Sequence, residues 1–218
     1  MKKEIPILTW ELISEAHNKY LEEEPRDAMY RVSMRLIEQN WENDEEISEA
    51  LGVLLLTWNS AFYRYGNLNF DLIQEAISKN KRRLYKLRKT SILKYSEYAR
   101  GNIEEIYKHL LVALKNTGKM GNKNEGKETY SPVSVAKALH LLCPNFFPLW
   151  DDKIAIGYGC RWYNSILSFD KYWKFIRLTA CQVKKLESER SAGNHGTKVG
   201  TLKLVDEYNY VHFTKGKI

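Results

Sequence analysis

Cysteine is scarce in this chain, and so are proline and long hydrophobic runs. The three cysteines, Cys143, Cys160 and Cys181, stand far apart and match neither a disulfide framework nor a zinc spacing; the five histidines form no ligand cluster. Reduced thiols are therefore expected, with no metal, iron–sulfur centre or other cofactor. No window offers the roughly 18 uncharged apolar residues that a membrane helix needs. The first residues, MKKEIPILTWELISEA, lack the apolar region and cleavage site of a signal peptide, so a cytoplasmic protein is expected. Strict period-two alternation bounded by turn residues is missing as well, which leaves no convincing strand. There is no internal repeat and no low-complexity tail.

What is present suits a folded domain. The chain has 218 residues, 44% of them apolar and 28% charged, enough to bury a substantial core in one domain. The net charge of +7 is unevenly divided. Residues 1–50 carry 6 Lys and Arg against 13 Asp and Glu, whereas residues 51–218 carry 28 against 14. An acidic head on a strongly basic body points to a polyanion-binding face, nucleic acid before an anionic membrane. Solvation of helices by Lys and Arg is the plainer alternative. The acidic head could be a helical subdomain of its own.

Taken in order, the periodicity predicts helices over 9–22, capped by Thr9, and over 26–41. A third is expected from Asp44 to about Arg64, its segment Val53–Leu56 apolar all round as in a central buried helix. Its continuation carries Trp58, Asn59 and Tyr63, which serve either as packing residues or as the lining of an aromatic pocket for a planar ligand such as a base. A short helix capped by Asn69 or Asp71 should reach about Ser78. From Lys79 to Arg100 there are then 9 Lys and Arg and one acid, interleaved with tyrosines. Lys81, Arg82, Arg83, Lys86, Arg88 and Lys89 of this run are candidate phosphate contacts. A clean amphipathic helix over 103–115 leads into KNTGKMGNKNEGKETY, read as a basic loop whose Lys119, Lys123 and Lys127 could also meet phosphate. Residues 158–186 and 201–213 should be helical, giving nine to eleven helices in an all-α fold.

The chain is organised around Tyr130–Gly157, YSPVSVAKALHLLCPNFFPLWDDKIAIG. Ser131 caps a helix with Pro132 at its first position, and Val135, Ala138, Leu139 and Leu142 form its core face. Pro144 stops it. The turn NFFPLW is too aromatic for a solvent loop and should pack inward, carrying Asp151 to a partly buried place. Asp151 is there either for chemistry or to cap the next helix. Asp152 competes for both roles. His109 and His140 read as helix-surface or core-edge residues rather than acid–base groups.

This stretch resembles the helix-hairpin-helix DNA glycosylases, the superfamily of endonuclease III, adenine–mismatch, 8-oxoguanine and alkyladenine glycosylases. SVAKALHLLCP, the apolar NFFPLW and Asp151 stand in that family's order and spacing, with Ile154 at a place where it has an aliphatic residue. The likeness covers about 28 residues. It implies two helical subdomains flanking a cleft, a flipped nucleotide, and a catalytic carboxylate at Asp151 or Asp152. It also implies a base pocket drawn from Trp58, Asn59, Tyr63, Trp150 and Tyr158, with DNA contact at Ser131 and the lysines before it. Two departures stand out. Thr129, Tyr130 and Ser131 replace the Gly-x-Gly hairpin, and Val133 falls where bifunctional members carry their lyase lysine. Lys137, one turn on, is the nearest substitute. The expectation is a monomeric, monofunctional glycosylase acting on DNA without a cofactor, in base-excision repair or in defence against phage DNA with modified bases. The alternative is a non-catalytic nucleic-acid-binding protein of the same fold.

Overall fold

A computed structural model describes residues 5–25, 27–119, 125–161, 168–192 and 199–218. The chain is mostly helical. Helix α1 (Trp10–Glu23) starts at Thr9, whose hydroxyl accepts the Leu12 N–H, and α2 spans Asp27–Gln39. Helix α3 (Asp44–Trp58) is capped by Asn43 and not by Asp44: the Asn43 side chain accepts the N–H groups of Glu45 and Glu46. Asp44 is left to pair with the Lys81 ammonium at 2.6 Å. The helix also ends earlier than periodicity predicts. Asn59 leaves helical geometry at φ −117°, ψ 28°, and a single turn, α4 (Ser60–Tyr63), follows. The Val53–Leu56 segment is not buried all round either, since Leu54 and Leu55 are core but Leu56 is 46% exposed.

Helix α5 (Phe70–Arg88) begins at Asn69, whose side chain accepts the Leu72 N–H. It runs straight through the point where a short helix was expected to stop. Ile73, Ala76, Ile77 and Leu84 keep one face in the core, so the basic run is half of an amphipathic helix rather than a segment after one. Helix α6 is Arg100–Ala113. The following basic segment is not all loop. Strands β1 (Gly66–Asn67), β2 (Asn116–Gly118) and β3 (Glu128–Thr129) pair antiparallel in that order, Gly66 opposite Gly118 and Asn116 opposite Thr129. Strands of two or three residues are too short to show any alternation.

Helix α7 (Pro132–Leu142) has the expected Ser131 cap and Pro132 start, and α8 (Asp152–Gly157) is capped by Asp151. Helix α9 spans Ser168–Ala192; the four residues from Tyr158 are a turn with Gly159 at φ 62°, not helix, and residues 162–167 lie outside the described residues. Helix α10 (Thr201–Asn209) passes into a wider π turn, Tyr210–Lys215, that ends at Gly216 in left-handed geometry.

These elements form two packed sets. Helix α2 lies on α3, α3 on α5, α5 on α6 and α6 on α7, and α7 returns against α2 and α3. Helix α1 instead joins the C-terminal part, packing on α10 and the π turn, with α8 against the π turn and α9 against α10. The Trp10 indole N–H donates to the Leu186 carbonyl at 2.9 Å across that second set. The acidic first 50 residues are therefore divided between the two sets and do not form a subdomain of their own. Among the described residues no helix is long and apolar enough to cross a membrane.

Candidate active site

The NFFPLW turn is as buried as its composition implies: Phe146, Phe147, Leu149 and Trp150 are all core. A buried turn needs partners for its carbonyls, and distant groups supply them. The His140 Nδ1–H donates to the Phe147 carbonyl at 2.7 Å, the Tyr172 hydroxyl to Pro148 at 2.8 Å, and the Ile92 N–H to Asn145 at 2.8 Å. His140 is wholly buried rather than at a helix surface. Its Nε2 accepts from the Tyr30 hydroxyl at 3.0 Å, and burial pushes its pKa down to about 4, so it holds the turn as a neutral ring. The turn thus fixes the chain just before Asp151.

Asp151 is both a cap and a cleft residue. One carboxylate oxygen accepts the Ile154 N–H at 2.8 Å and the other accepts the Thr214 hydroxyl at 2.9 Å. The group is half-buried and borders a cavity of about 330 Å³ between the two helical sets. Trp58, Asn59, Val133 and Lys137 enter this cleft from α3 and α7, Trp150 and Ile154 from the turn and α8, and Tyr20, Glu24, Asp206, Tyr210 and Thr214 from the other set. Its size sits at the small end of the roughly 300–1,000 Å³ typical of ligand sites. Trp58 stacks on Tyr30, ring centroids 5.9 Å apart, so its face is held.

The Lys137 ammonium is turned into the cleft. It donates to the Trp58 carbonyl at 3.2 Å and to the Asn59 side-chain oxygen, and lies 5.6 Å from the centre of the Trp58 ring. Asn59 in turn donates to the Ser134 hydroxyl at 2.7 Å, to which Tyr63 also points at 3.1 Å. These bonds explain why the chain breaks helix at Asn59. Ser134→Ala should cost ~1–3 kcal/mol by stranding the buried Asn59 amide, read as a lower urea midpoint; an unchanged midpoint would show that Asn59 is held another way.

Behind the cleft lies a cluster of buried charge on α10. The Lys203 ammonium is 3.2 Å from Glu207, 3.6 Å from Asp27 and 3.8 Å from Asp206, and 4.3 Å from the centre of the Tyr20 ring. Asp27 is also paired with Arg31 and accepts the Tyr20 hydroxyl at 2.9 Å, and Glu207 is 2.6 Å from His17. Asp206, 7% exposed, has among the described residues only the shared Lys203 as an ion-pair partner. Burial drives its pKa up to about 7, with Lys203 and Lys137 opposing and Glu207 and Asp151 reinforcing the rise. Residue types gave no hint of this. In TLKLVDEYN the Lys–Asp–Glu spacing reads as ordinary surface i,i+3 and i,i+4 pairing, yet all nine residues of α10 are buried.

Other candidates are placed elsewhere. Tyr63 is core, its hydroxyl donating to the Leu114 carbonyl at 3.0 Å, and does not border the cleft. Tyr158 is also core, donating to Gln182 and Asn209 at 2.8 Å each. Asp152 faces solvent, 3.7 Å from Arg161. The Ser131 hydroxyl is buried and occupied as the α7 cap, accepting from Ser134 N–H at 3.1 Å. In the basic run, Lys81 is taken by Asp44, Arg83 by Glu105 at 2.5 Å, and Arg88 donates to the Leu142 carbonyl at 2.9 Å and covers the Trp41 ring. Lys89 folds over Tyr85, 3.9 Å from its ring centre, while Arg82 and Lys86 are exposed in a separate groove between α5 and α6. None of this run borders the cleft. Lys119 and Lys127 are exposed beside the β2–β3 hairpin just before α7; Lys123 lies outside the described residues.

Among the described residues no group of three or more His, Cys, Asp or Glu is placed to hold a metal ion. No protein-family model, curated protein or solved structure matches this chain.

Proposed function

We propose that this chain is a DNA N-glycosylase of the helix-hairpin-helix kind, monomeric and monofunctional, that extrudes a nucleotide into the cleft and removes its base. One observation carries the reading: Asp151, the residue singled out by the resemblance, borders a cleft between two helical sets together with aromatic faces and further charged groups. Breaking the bond between base and deoxyribose builds positive charge on the sugar, which a fixed carboxylate stabilises. Trp58 offers a surface for a planar base, whereas Trp150 is buried against Tyr172 and Phe175 and backs the cleft wall. The β2–β3 hairpin takes the place of the glycine hairpin, and its exposed Lys119 and Lys127 sit next in sequence to the α7 end that borders the cleft. They are candidates to meet the phosphates flanking the extruded nucleotide, with Arg82 and Lys86 of α5 contributing sequence-independent attraction.

Monofunctional cleavage follows from the amine positions. Val133 borders the cleft without an amine, and the Lys137 ammonium is engaged by two carbonyl oxygens. The target is a damaged base in repair or a modified base in phage DNA. Incubation with unmodified and with hypermodified phage DNA, followed by hot alkali, tests this. Strand breaks should appear in the modified DNA only after alkali; absence of alkali-labile sites in both DNAs, and in DNA carrying deaminated and alkylated bases, would sink the reading.

A further inference from the structure

Cleaving an N-glycosidic bond needs two kinds of help. The sugar must be stabilised as it becomes cationic, and the departing base must not leave as an anion. Asp151 suits the first task, but an acceptor at the sugar does nothing for the second. We infer that Asp206 is the proton donor to the departing base, a second catalytic carboxyl group approaching the cleft from the opposite helical set. This rests on the glycosylase reading of the cleft.

The geometry supports it in three ways. Asp206 borders the same cavity as Asp151, Trp58 and Lys137, so the two acidic residues line one space. It is more than nine-tenths buried, on a helix whose nine residues are all buried, and its position is fixed. Its charge balance is also distinct from that of its neighbours. Asp27 has Arg31, and Glu207 has His17, while Asp206 must share Lys203 with both of them. Where three carboxylates compete for one ammonium, the proton is kept by the one with least support. The groups facing Asp206 are Lys203 and Glu207 on its own helix, Asp151 from the α8 cap, Lys137 from α7, and the hydroxyls of Tyr20 on α1 and Tyr30 on α2. Burial outweighs the two lysines among them. Two carboxyl groups in one site, one holding its proton near neutrality, is the arrangement by which acid and stabiliser are separated in glycoside cleavage.

The step balances simply. The C1′–N bond breaks with its electron pair going to the base, and the Asp206 proton passes to a ring nitrogen or exocyclic oxygen of that base. Water adds at C1′, and the proton it releases returns to the Asp206 carboxylate. Base and abasic sugar are the products, and the enzyme is unchanged.

The test uses the leaving group. Two duplex oligonucleotides are compared, one carrying hypoxanthine, which departs well only if protonated, and one carrying N7-methylguanine, which is already cationic. Asp206→Asn should slow release of hypoxanthine about 10²–10³-fold and of N7-methylguanine less than about tenfold. The wild-type rate on hypoxanthine should fall as pH rises past about 7, a limb that Asp206→Asn lacks and Asp206→Glu partly restores. Equal slowing on both substrates, or none on either, overturns the assignment while leaving the glycosylase reading intact. No release from either oligonucleotide, nor from hypermodified phage DNA, by the wild-type protein overturns both.

Discussion

Asp151→Asn should abolish base release, by at least about 10²-fold, while leaving the protein folded and still bound to DNA. The substitution is informative because Asn separates the cap that Asp151 forms from the charge role proposed for it. As a cap it accepts the Ile154 N–H at 2.8 Å and the Thr214 hydroxyl at 2.9 Å. Asn caps helices about as well as Asp, so α8 should keep its start. What is lost is the negative charge, and with it the attraction for a cationic sugar. Asp151→Ala, by contrast, removes cap and charge together and should cost roughly 1 kcal/mol of stability as well. Single-turnover base release measured beside DNA affinity and the urea midpoint separates these effects. The non-catalytic alternative expects the opposite pattern, with DNA binding and any cellular phenotype indifferent to Asp151→Asn. Full base release by Asp151→Asn would remove the carboxylate from the chemistry and leave it as a cap.

The organising stretch was readable because its signals are local. Ser131–Pro132 at the start, the 135, 138, 139 and 142 face, and the aromatic turn each rest on neighbours in sequence, and each is as expected. Asp151 was legible as an unresolved choice between cap and chemistry; the structure gives it the cap and places it in a cleft as well. Local signals failed where distant partners decide. The break at Asn59 is set by Ser134 and Lys137, some 75 to 78 positions away. Tyr63 and Tyr158 have the polar-tipped aromatic character of pocket residues, but Ser134, Gln182 and Asn209 satisfy their hydroxyls inside the core. The density of the basic run suggested a continuous phosphate face, yet Lys81 and Arg88 are drawn to Asp44 and to the end of α7. Side-chain charge counts cannot distinguish a cation facing solvent from one closing a helix end. The cluster on α10 was invisible for the same reason, since nothing in TLKLVDEYN tells that every position is covered.

Asp206 should make the protein less stable as pH rises, and Asp206→Asn should remove that dependence. The Asp206 pKa is raised from an ordinary 3.8 to about 7 in the folded state. Its proton is therefore bound more tightly folded than unfolded, so its contribution to stability is fully present below about 4 and lost as pH climbs through about 7. At 1.36 kcal/mol per unit the loss is of order 4 kcal/mol. An amide cannot ionise, so Asp206→Asn should raise the melting temperature at pH 8, and the gain should vanish near pH 4. Comparing variant with wild type at each pH cancels the contributions common to both. Lys203→Met should act in the opposite direction, because it strands Asp27, Asp206 and Glu207 without their shared cation. Removing one side of a buried ionic cluster costs ~3–5 kcal/mol. Acid should soften that cost, since Asp206 is then neutral. The double variant should recover part of the loss at pH 8, and that non-additivity measures the Lys203–Asp206 coupling directly. A destabilised Asp206→Asn at pH 8, or a Lys203→Met penalty that ignores pH, would mean that the fold does not raise the Asp206 pKa. A proton donor has to be kept protonated at some expense to the fold, so the stability gained by Asp206→Asn at pH 8 and the activity lost with it should appear in the same variant.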